Sequence, residues 1–379
     1  MKFAFISTVN TAPWGGSEEL WAQAAIRLSK EGHEVHASVH GWPYIHPRIT
    51  EIQNEMVKVH FRNPVMPSMT GRIWRKLSGK QYRDINMLRD LEWLSLVRAE
   101  LVCISGPCFW GIYWMELCHE IGMPYTTLIQ HHDESGWPGD EWIDHINPLF
   151  KSSRCNFFVS LGNKRVLEMQ LAQELDNCKI VRNPCKVSRN VQITWPEESD
   201  SFNLACVARL EPVNKGQDIL FQVLSLPQWR NRNLTLTLYG EGGNARSLKR
   251  LAEMLDVRNV VFSGLTEDIE LMWRRHHGLI LPSRNEGLPL AIVEAMFCAR
   301  LCIVTDVADN AAFLENGVNG FIAEAPVVRC LERTIEEAWQ SKDRWQAMGL
   351  NARQTILDQF PKNPVKDFCE ELLDCANTL

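Results

Sequence analysis

The stretch that decides the fold is residues 278–296, "GLILPSRNEGLPLAIVEAM". Its first six residues, "GLILPS", read as a short buried strand, "RNEG" as a turn, and "PLAIVEAM" as a helix. Pro289 falls near the first helical position, where a missing N–H is no loss. A strand that passes through a tight turn into a helix is the building unit of a parallel sheet covered by helices. The same stretch carries two carboxylates in mostly apolar company, Glu286 in the turn and Glu294 in the helix. Burying a carboxylate is expensive unless something pairs with it, so the pattern calls for a ligand as well as a fold.

The unit repeats in both directions. Upstream lie "NLACVAR" (203–209), "LTLTLYG" (234–240) and "NVVFSG" (259–264), and downstream "LCIVTD" (301–306). The first half runs the same way, through "KFAFIS" (2–7), "HEVHASVH" (33–40), "AELVCIS" (99–105), "PYTTLIQ" (124–130) and "NFFVSL" (156–161). After the first of these comes a helix with Trp21, Ala24, Ala25 and Leu28 on one face, ended by Gly32. Strand–helix alternation in both halves predicts two doubly wound α/β units. The polar, Pro-containing stretch 180–202 reads as the linker between them. This gives an N-terminal domain over 1–188 and a C-terminal domain over 189–361. A final helix over 362–379 is expected to pack back on the first domain.

The bulk numbers agree with that organisation. At about 150 residues per domain, 379 residues make two or three domains, each able to bury its own core. A net charge of −6 excludes a global attraction to nucleic acid or anionic membrane. No apolar run approaches the ~18 residues of a membrane span, and the N-terminal apolar run is too short for a signal peptide. The twelve cysteines contain no C-x-x-C pair and read as reduced thiols of a cytoplasmic protein.

Ligands of doubly wound sheets bind outside the carboxyl ends of the strands, and four stretches fall there. In "PWGGSEE", Gly15 and Gly16 let backbone N–H groups approach an anion at a helix start. In "ARLEPVNKGQD", Arg209 ends a strand and Lys215 with Gly216 opens a helix, a pair of cations suited to a diphosphate. Gly240, Gly242 and Gly243 follow the strand 234–240. The fourth is the opening stretch, where the N–H groups of Gly287 and Leu288 read as orphan donors of a helix start. Asn285, Pro289 and Leu290 flank them in the same candidate site. Two carboxylates also fit a glycosidase, which only their distance in space can decide.

Taken together, "ARL…KG", the Gly-Gly after the first strand, and "PS-x-x-EG-x-P-L-x-x-x-EAM" resemble the retaining glycosyltransferases of family 4. The resemblance covers most of the chain and implies the GT-B fold, two Rossmann-like domains facing an interdomain cleft. Glu286 and Glu294 match that family's E-x7-E motif. The resemblance implies that Glu294 binds the ribose hydroxyls of a nucleotide-diphosphate sugar, such as a UDP or GDP sugar. It implies that Glu286 contacts the transferred sugar, and that Gly287 and Leu288 lie near sugar and phosphate. Arg209 and Lys215 would neutralise the departing diphosphate with no metal or other cofactor required, Gly16 would approach the same diphosphate, and Leu265 would lie near the base. A histidine after the strand 124–130, His131 or His132, would touch the donor sugar. The implied reaction is metal-independent front-face transfer to an acceptor hydroxyl with retention. One departure stands out: where the family has Gly-Gly and then a glutamate, "VADNAAFLENG" has Ala308, Asp309 and Ala312.

The acceptor, a glycan, glycolipid or small molecule, is expected on the N-terminal domain. Trp110, Trp114, Trp137 and Trp142 cluster around strand ends there and read as sugar-stacking or core residues. The basic stretch 71–83, with Arg72, Arg75, Lys76, Lys80 and Arg83, reads as a solvated face, as a contact with the inner face of a membrane, or as a grip on a charged acceptor. The adjacent His131, His132, Asp133 and Glu134 are a poor metal set, because neighbouring residues rarely converge on one ion. The alternatives to transfer are an epimerase, a phosphorylase and a non-catalytic sugar-nucleotide-binding protein.

Overall fold

Lys2–Ser7 (β1) is an almost wholly buried strand, and strands buried on both faces are the mark of a parallel sheet with helices on either side. Around it the computed structural model, which describes residues 1–62, 85–196, 201–266 and 268–377, builds the first of two compact units. That unit takes in Met1–Val159, Asn163–Pro184 and Asn363–Leu379. Its further strands are Glu34–His40 (β2), Lys58–Arg62 (β3), Leu101–Pro107 (β4), Tyr125–His131 (β5), Asn156–Phe158 (β6) and Cys178–Ile180 (β7). They form a parallel sheet in the order β3-β2-β1-β4-β5-β6-β7. The order reverses between β1 and β4.

The helix Glu19–Lys30 buries Trp21, Ala24, Ala25 and Leu28, the face expected from their spacing. The C-terminal helix Pro364–Asn377 joins the same core. Phe368, Cys369 and Leu372 pack with Phe3, Phe5 and Trp21, and the Phe368 ring meets Phe157 edge-on at 5.2 Å.

The second unit comprises Ser160–Gly162 and Cys185–Lys362. Its strands are Phe202–Val207 (β8), Leu234–Tyr239 (β9), Val260–Gly264 (β10), Gly278–Leu281 (β11), Leu301–Thr305 (β12) and Gly320–Ala323 (β13). They lie in the order β10-β9-β8-β11-β12-β13, again parallel, with the reversal between β8 and β11. Trp229, Trp273, Phe221, Ile292 and Phe297 fill the core.

Three strands were not anticipated from sequence: β3, β7 and β13. Each lies at an edge of its sheet; β3 and β7 are partly exposed, and β13 has only four residues. The anticipated strand 156–161 stops at Phe158, since a helix begins at Leu161. The stretch 180–202 is better anchored than a linker reading implies: Val187 and Val191 are buried in the second unit's core. The basic stretch 71–83 lies outside the described residues. Among the described residues, no helix is long and apolar enough to cross a membrane. All twelve cysteines are free thiols.

Candidate functional site

In the second unit the functional side chains gather at the carboxyl ends of β8 and β11, the strands between which the order reverses. Arg209 lies two residues past β8, with its side chain 56% exposed and 3.1 Å from Glu211. The loop then makes a single helical turn, Pro212–Lys215, so Lys215 ends one short helix and Gly216 caps the next, Gln217–Leu224. Gly216 takes a left-handed φ of +65°, and a Cβ there would stand 1.9 Å from the Pro282 carbonyl oxygen. Only glycine lets this loop press against the end of β11.

That close approach is reinforced by polar ties. The Asn214 carbonyl accepts from the amides of Arg284 and Asn285 at 2.8 and 3.1 Å. The Arg284 guanidinium grips Asp218 with two bonds of 2.6 and 2.8 Å, the fork-to-fork geometry of a strong pair. These bonds tie the two loops together. Their joint product is a contact between the two families of charge: Lys215 Nζ donates to Glu286 Oε1 at 2.7 Å. Ser283 Oγ donates to the same oxygen at 2.7 Å. With exposures of 16% and 7%, the Lys215–Glu286 pair is largely out of water.

Glu294 sits in the helix Leu290–Phe297, whose other residues from Ala291 onward are all buried. Its carboxylate accepts the Lys186 amide at 3.2 Å. Burial pushes it up to about 7, against the lowering effect of that amide. The carboxylate is thus desolvated and thinly satisfied.

The helix start differs from expectation. Pro289 is the extended residue before the helix, and Ile292 donates back to its carbonyl at 3.1 Å. A proline also disfavours helical geometry in the residue before it, so the helix cannot include Leu288. The N–H groups of Gly287 and Leu288 therefore belong to the preceding loop, and the orphan donors of the first turn start at Leu290. Gly240, at φ +136°, would place a Cβ 2.2 Å from the Ala208 carbonyl oxygen, pressing the end of β9 onto the Arg209 loop. Leu265, just past β10, is 71% exposed.

The departure at 308–312 has a structural account. Ala308 takes φ +46°, the region that favours glycine. Asp309 is buried, and its carboxylate accepts the amides of Leu161 and Gly162 at 2.9 and 2.8 Å.

In the first unit, Gly15 and Gly16 lead into the turn Gly16–Glu18 and then the helix Glu19–Lys30. A Cβ on Gly15 would meet only Ser17 Oγ, at 3.8 Å, so packing within the chain does not demand glycine there. His131 is the last residue of β5 and is partly exposed, whereas His132 is buried, edge-on to Phe109 at 4.8 Å. Burial pushes His132 down to about 4, which makes it a neutral imidazole near pH 7. Among the described residues, no group of three His, Cys, Asp or Glu could hold a metal ion.

Sequence reading missed Ser283, Arg284, Asp218, Asn214 and Lys186. The first four lie inside the stretches already singled out, beside residues that were read as charged or glycine-rich. Lys186 carried no local signal, because it contributes a backbone amide 108 positions from Glu294.

Two parallel doubly wound units, each with its strand order reversing at the centre, are the two halves of the GT-B fold. The "UDP and glucose" complex of HepE from Anabaena shares it, with a TM-score of 0.75 over 100% of both chains at 16% identity. The family model "Glycosyl transferases group 1" matches residues 201–341. This match falls within the second unit, which holds Arg209, Lys215, Glu286 and Glu294. It is 26% identical over 75% of its length to the GtfA subunit of a UDP-N-acetylglucosamine–peptide N-acetylglucosaminyltransferase from Streptococcus parasanguinis. It is 23% identical over 64% of its length to a poly(ribitol-phosphate) alpha-N-acetylglucosaminyltransferase from Staphylococcus aureus. The chain spans 59% of the first relative's length and 49% of the second's.

Proposed function

We propose that the chain transfers a hexosyl unit from a UDP-sugar to an acceptor hydroxyl, with retention of anomeric configuration and without a metal. The observation that carries this reading is the buried Lys215–Glu286 contact beside Glu294, at the point where the strand order reverses. Two carboxylates at different depths suit a ligand rich in hydroxyls, while Lys215 and Arg209 suit its diphosphate. The names of the Streptococcus and Staphylococcus relatives, and the UDP in the HepE complex, favour uridine as the base and a hexose or N-acetylhexosamine as the sugar.

In this reading Glu294 accepts from the ribose hydroxyls and Glu286 from hydroxyls of the transferred sugar. Asn285, Gly287, Leu288, Pro289 and Leu290 shape the loop around sugar and phosphate, and Gly240 and Leu265 border the nucleotide. Gly15 and Gly16 present amides to the diphosphate, consistent with a glycine at 15 that packing does not require. His131 donates to the sugar, being the more accessible of the two histidines; His132 packs edge-on against Phe109.

As the glycosidic C–O bond breaks, negative charge gathers on the β-phosphate. Arg209 and Lys215 stabilise it, the role a metal plays elsewhere. The acceptor oxygen attacks from the same face, and its proton passes to the departing phosphate oxygen. The test is incubation with UDP-, GDP-, ADP- and CMP-sugars, followed by nucleotide release and NMR of the product. UDP release that depends on acceptor, with the donor's anomeric configuration retained, is expected. Binding without turnover, or an inverted product, would overturn the reading.

A further inference from the structure

A cavity of about 460 Å³ opens in the first unit where β1, β2 and β3 end. That is the ligand edge of a doubly wound sheet, and the volume lies in the range of small-molecule sites, about 300–1,000 Å³. Its lining mixes polar groups with aromatic rings. Arg62, the last residue of β3, is partly buried and donates through Nη1 to the Ser38 carbonyl and hydroxyl at 2.8 and 3.0 Å. Its Nη2 donates to the Ser7 carbonyl, and its guanidinium lies 5.2 Å from the Trp114 ring. These contacts hold the fork still. None of them is a carboxylate, and among the described residues no carboxylate lies within ion-pairing distance of Arg62.

Across the cavity, Asp90 accepts the Tyr113 hydroxyl at 2.8 Å, its one hydrogen bond with described residues. The remaining lone pairs of that half-buried carboxylate are available to a ligand. His60 lines the same space; burial holds it towards its neutral form, Asp90 works against that, and Arg62 adds to it. It offers one donor or acceptor per ring nitrogen. Trp110 borders the cavity with 44% of its surface exposed.

The ligand must complement a free carboxylate, an arginine fork, an imidazole and an aromatic face together. An apolar molecule would leave the remaining lone pairs of Asp90 without a donor. An anion would face Asp90, and a cation would face Arg62. A pyranose satisfies all of them, since each hydroxyl both donates and accepts and the ring's C–H face stacks on an indole. We infer that this cavity is the acceptor subsite, that it binds a neutral pyranose ring, and that Asp90 with Trp110 selects it. The inference rests on the proposed glycosyltransferase activity and names the substrate class of its second half.

Direct binding and turnover test it separately. Methyl α- and β-pyranosides of glucose, galactose and N-acetylglucosamine are titrated in saturation-transfer NMR, beside glucuronate and glycerol phosphate as anionic arms. The wild type should bind a neutral glycoside saturably. Asp90→Asn and Trp110→Ala should each weaken that binding at least tenfold, with UDP binding unchanged and the thermal midpoint retained. In turnover the acceptor KM should rise at least tenfold while the donor KM stays within twofold. Glycoside binding undiminished in Asp90→Asn and Trp110→Ala, or binding of the anions alone, would overturn the inference. A wild type that binds glycosides but neither binds nor uses any nucleotide sugar would overturn the activity and leave the cavity's chemistry standing.

Discussion

Glu294 joins a stability effect to a binding effect in one side chain. Burial raises its carboxyl from an ordinary 4.5 to about 7. A carboxyl raised in the folded state contributes fully to stability below pH 4.5, and the contribution is lost as pH rises through about 7. By linkage the loss is on the order of 3 kcal/mol. Glu294→Gln should therefore be more stable than wild type in urea at pH 8, with the difference vanishing below pH 4.5. In the proposed site ribose hydroxyls would donate to the ionised form, so wild-type affinity for a UDP-sugar should rise between pH 5.5 and pH 8, with proton release seen by calorimetry in two buffers. Glu294→Ala should weaken donor binding at least tenfold, and a donor bound as tightly as before would remove the ribose assignment. Lys215 makes a different case. Truncating one partner of a largely buried pair strands the other, so Lys215→Met should lose about 3 kcal/mol. The double variant Lys215→Met with Glu286→Gln should recover much of it, measured as a coupling energy in a double-mutant cycle.

The strand–loop–helix elements work because a few backbone positions allow close approach. At Gly216 an added methyl meets Pro282 oxygen at 1.9 Å with the backbone left-handed. Gly216→Ala should lower stability by at least about 2 kcal/mol and raise the donor KM, because Lys215 moves with the loop. The converse substitution is available at Ala308, whose φ of +46° is strained for alanine. Ala308→Gly should gain about 0.5 kcal/mol, the left-handed penalty less the entropy that glycine adds to the unfolded chain. Matched thermal melts check both signs. The interior strands and their helices were legible in sequence, since a strand buried on both faces must be a continuous apolar run. The strands β3, β7 and β13 were not, for β3 and β7 are partly exposed and β7 and β13 are only three and four residues long.

At the scale of the molecule, each unit buries one glutamate raised to about 7 and one histidine lowered to about 4: Glu18 with His132, and Glu294 with His277. The histidines contribute stability above their ordinary 6.5 and lose it as pH falls towards about 4. The glutamates lose theirs as pH climbs from 4.5 to about 7. The two trends oppose each other between 4.5 and 6.5, so urea midpoints should vary least there and fall on either side. Replacing Glu18 and Glu294 by glutamine should remove the decline above pH 6.5 and leave the acid limb intact.

Sequence by itself determined two parallel α/β units, the strand–turn–helix that holds Glu286 and Glu294, and the family motif, because all three are written in short-range periodicity and turn chemistry. Only tertiary structure decided what those carboxylates touch. Lys215 reaches Glu286 across 71 positions, Arg284 grips Asp218 across 66, and Lys186 meets Glu294 across 108. Such contacts depend on which strands lie side by side at the point of reversal, and no local pattern encodes that neighbourhood. The cavity beside Asp90 arises the same way, from three strand ends and two helices distant in the chain.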